Sequence, residues 1–180
     1  MVASTVKSEN ITNIEASTPT TLERKKGRIK TIIDQDAIAT TSIDETNDVM
    51  LFGPIPSNAV VLDVLVMNDD LDANACPTLA VDCGLAYSGI GGTQKKDGNT
   101  SGTAVDVDVF ASAATTLQAA NTTWTSLRAE ADDITDVDKE AWEAAGLSSD
   151  PGGLLYVSLK VTTAAATAAA GDIVLRVDYI

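Results

Sequence analysis

The sequence predicts an all-β protein, an antiparallel β-sandwich with one short helix, and three observations carry that reading. Near the C-terminal end, Leu155, Val157, Leu159 and Val161 alternate with Tyr156, Ser158, Lys160 and Thr162; after an Ala/Thr spacer, Ile173, Leu175, Val177 and Tyr179 alternate with Val174, Arg176 and Asp178. Successive side chains of a strand point to opposite faces, so each run is a strand with one buried face. Upstream, short apolar runs are separated by Gly, Pro, Asn and Asp, the punctuation of a many-stranded sandwich. Only one segment, Asp132 to Gly146, has the apolar spacing of a helix.

In chain order, residues 1–27 are rich in Ser, Thr, Asn and Glu, with Val6, Ile11, Ile14 and Leu22 as scattered apolar residues. They bury too little apolar surface to offset chain entropy and are expected to form an extended N-terminal arm. Residues 28–180 form the sandwich domain. Arg28 to Asp34 and Asp48 to Phe52 are expected strands, and Gly53 to Asn58 an expected turn, because Pro54 and Pro56 cannot donate to a ladder. Val60 to Met67, apolar except for Asp63, reads as a strand buried on both faces. Thr78 to Tyr87 follows as a strand.

Gly89 to Gly102 has no periodicity and is a long loop of the functional or interfacial kind. Val105, Val107 and Val109 alternate with Asp106 and Asp108, giving a strand with a solvated face. Thr115 to Ala120 is a helical turn and Thr123 to Arg128 a strand. For the helix, Thr135 or Asp136 caps the start, Gly146 suits the end, and Trp142 is the residue expected to pack onto the sandwich.

Composition narrows the function. The chain has 180 residues and a formal net charge of −14. Residues 1–30 hold six Lys or Arg against three acids, a net of +3; the remainder holds six against 23, a net of −17. Such a body repels phosphate backbones, so no nucleic-acid partner is expected. Histidine is absent, which removes Ser-His-Asp and Cys-His nucleophile systems and His-containing zinc sites. No catalytic site and no cofactor are expected. Residues 1–15 lack the apolar stretch of a secretory signal, and no run of about 18 apolar residues spans a membrane, so no membrane partner is expected and synthesis in a cytoplasm is.

Three features are candidate sites. Asp70, Asp72 and Asn74 match the spacing of oxygen ligands in a calcium loop, with Asp69 beside them. Ala75 replaces the required glycine and no glutamate follows at the twelfth position, so a solvated Asp/Asn turn is favoured and no metal is expected. Cys76 and Cys83 lie seven residues apart along one apparent strand, about 23 Å, too far for a disulfide. Trp124 reads as a core or interface anchor; aromatic residues at 4% are too few for a sugar-binding face.

Taken together, GRIKTIID after a polar arm, LFGPIPSNAVVLDVLVMNDDLDANACPTLAVDCG, and LLYVSLKVTTAAATAAAGDIVLRVDYI at the end resemble the capsid decoration (cement) or auxiliary head proteins of tailed bacteriophages. The resemblance covers about two-thirds of the chain. It implies a jelly-roll-like sandwich, a homotrimer, and a place on the outer capsid surface of the virion, bound between major capsid proteins. With that reading, Arg24, Lys25, Lys26 and Arg28 are the capsid-contact candidates, since a basic arm suits an acidic neighbouring surface. A receptor- or glycan-binding fibre module and a low-copy neck or tail joining protein remain as alternatives.

Overall fold

A computed structural model describes residues 28–88, 104–128 and 136–180. Eight strands run in chain order as β1 (Lys30–Ile38), β2 (Val49–Pro56), β3 (Val61–Asn68), β4 (Ala80–Tyr87), β5 (Ala104–Ala114), β6 (Asn121–Ser126), β7 (Leu154–Thr163) and β8 (Gly171–Tyr179), with one short helix, α1 (Ala141–Ala144). They form two four-stranded sheets, ordered β1-β8-β3-β6 and β2-β7-β4-β5. All the strand pairs are antiparallel, and the first strand pairs with the last, the second with the seventh, the third with the sixth and the fourth with the fifth. This nesting is a four-rung ribbon rolled into a sandwich, the jelly-roll-like order.

The alternation at the C-terminal end falls where the sequence places it. Leu155, Val157, Leu159 and Val161 on β7 are fully buried, and Ile173, Leu175, Val177 and Tyr179 on β8 face the same core from the opposite sheet. Both are interior strands of their sheets, so these two sequences form the centre of the sandwich. Full burial of an aliphatic side chain of this size is worth roughly 1.5–3 kcal/mol.

Tertiary context alters four local readings. The segment expected as a turn after Phe52 continues as β2 through Pro56, with the register breaking between Phe52 and Pro54. β2 is an edge strand, where a proline can turn its missing N–H away from the ladder. Gly53 sits at the break and its N–H donates to Asp34 Oδ2 at 2.7 Å; a Cβ there would stand 2.9 Å from Ile32 Cγ2. β3 is not buried on both faces: Val61, Val64 and Val66 are buried while Leu62 is exposed and Leu65 and Met67 are half-buried, because nothing among the described residues covers the outer side of its sheet.

The reverse holds for β4, all eight residues of which are buried. The irregular β5 folds over it so closely that a Cβ on Gly84 would lie 2.2 Å from the carbonyl oxygen of Asp106. The register slips repeatedly along this pair, so the Val/Asp alternation of 105–109 does not make the regular strand expected of it. Ala113 takes a φ of 51° near the end of the strand, and its N–H donates to Asp82 Oδ1 at 2.8 Å.

Among the described residues the helix is one turn; residues 136–140 of the expected span are not helical, and residues 132–135 lie outside the described residues. Glu140 is extended and caps Ala141–Ala144 through a reciprocal box with Glu143. The first-turn N–H groups of Ala141 and Trp142 donate to the carbonyls of Ala59 and Ser57, so the turn between β2 and β3 takes the place of a preceding helical turn. Ala141 and Ala145, not Trp142, enter the core; Trp142 is half-buried with its indole N–H on Glu140 Oε2 at 2.8 Å. Gly146 follows with a φ of 68°, as its place after the last turn requires. Of the expected caps, Thr135 lies outside the described residues.

Candidate functional site

The acidic loop between β3 and β4 is the first place the sequence nominates, and its chemistry is internal. Asp72 is buried, 1% exposed. Its Oδ2 accepts the N–H groups of Thr78, Leu79 and Ala166 at 2.7, 3.0 and 3.0 Å, and its Oδ1 accepts that of Thr167 at 2.9 Å. Burial alone pushes this carboxyl's pKa up, but the four N–H donors outweigh it and hold the pKa at about 2. The Ala/Thr spacer between β7 and β8, featureless in sequence, is therefore pinned to the β3–β4 loop. Ala73 and Ala169 add backbone bonds to Thr167 and Leu71.

The neighbouring acids act the same way. The Asp69 N–H donates to the Asp172 carbonyl at 3.0 Å while Asp69 Oδ2 accepts the N–H of Asp172 at 2.9 Å, and Asp70 Oδ1 accepts that of Asp72 at 3.1 Å. Asn74 Oδ1 accepts the N–H of Cys76, and its amide donates to Thr167 Oγ1. These are the loop-closing bonds of Asp/Asn turns. The turn reading holds, although Asp72 is buried rather than solvated. Among the described residues, no three His, Cys, Asp or Glu side chains converge as metal ligands.

Cys76 and Cys83 are both free. Cys76 lies in the exposed loop before β4 and Cys83 in the core. Burial, with the charge of Asp82 added, raises the Cys83 thiol far above its ordinary pKa, so it is inert. On β5, burial and then the adjoining Asp108 raise the pKa of Asp106.

The outer face of the β1-β8-β3-β6 sheet is open. Cross-strand register sets Ile33, Arg176, Leu65 and Ser126 in one row, and Thr31, Asp178 and Asp63 in the next. Arg176 bonds Asp178 through Nε and Nη2 at 3.1 and 2.7 Å, and the Thr31 hydroxyl adds a 2.6 Å bond to the same carboxylate. Burial raises the Asp178 pKa, but these bonds and the Arg176 charge lower it further, leaving it below the usual carboxylate range. The Arg176 guanidinium also lies 6.0 Å from the ring centre of Trp124, which is 37% exposed and so is not a core residue.

At the end of this sheet where β1 starts lies a cleft of about 300 Å³ lined by Arg28, Lys30, Asn58, Tyr179 and Ile180, with Pro56 and Ala59. Its walls are set by the sheet: Lys30 pairs with Tyr179 across the β1–β8 ladder, and Ile180 and Val60 exchange backbone bonds at 3.0 Å. The Lys30 ammonium stands 5.9 Å from the Tyr179 ring centre. Arg128 reaches the same end, with Nη1 on the Val61 carbonyl. Of the contact candidates in the sequence, Arg28 is here and exposed; Arg24, Lys25 and Lys26 lie outside the described residues. Sequence reasoning did not find Lys30, Asn58 or Tyr179. The cationic run ending at Lys30 was legible, but its partners depend on strand register.

No family model matches the chain, and no curated protein does. Two solved structures share its fold. One is a chain in the capsid of Ralstonia phage GP4, 22% identical, with a TM-score of 0.58 over 89% of this chain and 89% of that one. The other belongs to the capsid asymmetric unit of cyanophage Pam1, 21% identical, with a TM-score of 0.53 over 92% of this chain and 94% of that one. The likeness extends over nearly the whole of both partners, so the sandwich of this chain is a fold that occurs in phage capsids.

Proposed function

We propose that this chain is a structural virion protein that decorates and stabilises a phage capsid, lying on its outer surface and binding between major capsid proteins as a homotrimer. The observation that carries the reading is the fold shared over about nine-tenths of the chain with chains of two phage capsids. The described residues add support. Their carboxylates are engaged largely in holding loops and caps rather than in converging on a cleft, and the nucleophilic thiol of Cys83 is sealed in the core. The arm, residues 1–27, together with Arg28, is the proposed attachment element, continuous with the start of β1.

The test is addition of purified protein to heads that lack it, followed by cryo-electron microscopy and quantitative mass spectrometry. Hundreds of copies at threefold positions are expected, and deletion of residues 1–26 is expected to leave a folded protein that no longer attaches. A few copies at one vertex would favour a neck or tail joining protein. Exposed Trp124 favours a second reading, a glycan-binding module, since an accessible ring is what a sugar stacks on. Glycan-array binding that Trp124→Ala abolishes would establish it.

A further inference from the structure

We propose that the outer face of the β1-β8-β3-β6 sheet is the surface through which this chain packs against a second copy of itself. The inference rests on the self-association in the reading above and names the contact that builds it.

The middle of this face is apolar. Cross-strand register brings Ile33, Val174, Leu65 and Met67 together on three neighbouring strands, and Trp124 of β6 stands beside them with its ring centre 6.0 Å from the Arg176 guanidinium. Ile33 is 62% exposed and Trp124 37%, where a solvated sheet face would carry polar residues. Thr31, Gln35, Asp63 and Asp178 border the patch along the same strands. An apolar middle with a polar rim is the anatomy of a protein–protein interface, and Trp, Met and Arg are enriched in such middles. β6 itself has no buried residue, so it gains most from a cover. The outer face of the other sheet lacks this opening, because β5 folds over Gly84 at its centre.

Charge decides the occupant. Arg176 is held within the face by two bonds to Asp178, so it can be taken out of water without leaving an unpaired charge. The residues after 30 carry a net charge of −17, and two such bodies repel each other over most of their surface. A basic partner would settle on the acid-rich remainder; a like-charged partner meets this chain best where the surface is apolar and its cation is already matched. Four strands of about eight residues cover roughly 500 Å², less than the roughly 800 Å² that each partner of a stable pair contributes. Association through this face is therefore weak and depends on concentration.

The test is sedimentation equilibrium of the full chain from about 1 µM to about 300 µM, where a mass that rises with concentration is expected. Ile33→Glu, at an exposed position of an edge strand, should weaken association about tenfold or more with an unchanged melting temperature. Leu51→Glu adds the same charge to the outer face of the other sheet and should leave association intact. In a Trp142→Phe background Trp124 is the one tryptophan, and its quenching by acrylamide should fall as concentration rises, a readout that needs no face variant to fold. A monomer with constant quenching throughout the range would overturn the proposal. So would equal weakening by Ile33→Glu and Leu51→Glu, which would mark general charge repulsion, or protection of Trp124 by added oligosaccharide in place of self-association, which would assign the face to a glycan. Head decoration is scored separately. A wild type that decorates heads yet stays monomeric with Trp124 open refutes this contact and leaves the capsid reading standing, whereas one that associates through this face but never decorates refutes the capsid reading alone. A limiting mass of two chains rather than three would keep the contact and correct the homotrimer.

Discussion

The two ends of the β1-β8-β3-β6 sheet treat charge in opposite ways. Where β1 ends and β8 begins, Asp69, Asp70 and Asp72 have their oxygens taken by backbone N–H groups of two loops. Where β1 begins and β8 ends, Arg28 and Lys30 line a cleft and, among the described residues, no Asp or Glu side chain lines it with them. A charge satisfied within the chain stabilises it and has little left to offer a partner; a charge left open contributes little to stability and is available to one. The acidic end is thus an anchor and the basic end a surface.

Substitutions can break or sharpen that contrast. The largest effect lies in the core both ends share: Val157→Asp or Leu175→Asp is expected to abolish folding, since each places an unpaired charge between the sheets. Lys160→Asp, on the outer face of β7, should leave a cooperative melt. If the two classes melt alike, the assigned faces are wrong.

Next is the anchor. Asp72→Asn removes the charge from four hydrogen bonds and leaves an amide NH₂ facing backbone donors, a loss expected on the order of 3 kcal/mol in urea unfolding. Because the folded-state pKa of Asp72 is depressed to about 2, its contribution is full above the unfolded value of about 3.9 and disappears as pH falls through the folded value. Wild-type stability should therefore drop between about pH 4 and pH 2, and the Asp72→Asn variant should drop less. Equal acid sensitivity would show that Asp72 is not the anchor.

At the other end, neutralising Arg28 and Lys30 to Gln should shift unfolding free energy by no more than about 0.5 kcal/mol. A large loss would make that end structural as well and erase the contrast. The smallest effect is chemical: in the native protein a thiol reagent should modify Cys76 alone, and Cys83 should react only after denaturation. Two native equivalents would mean that β4 opens readily.

The sequence alone determined the parity of β7 and β8, because period-two alternation is a local property, whereas chain reach excludes a Cys76–Cys83 bridge only if both lie on one strand, and Cys76 lies in the loop before β4. It also set the charge split that directs attention to residues 24–30. Tertiary structure decided the rest. Pro54 and Pro56 are strand residues only because β2 is an edge; β4 is buried on both faces because β5 folds over Gly84; and the helix shortens to Ala141–Ala144 because Ala59 and Ser57 accept its first N–H groups. Asp72 becomes an anchor only when the β7–β8 spacer, more than ninety residues away, comes within reach, and Lys30 meets Tyr179 only through the pairing of the first strand with the last. Each of these depends on which strand lies beside which, and long-range pairing of strands with similar length and pattern leaves no periodic trace in the chain.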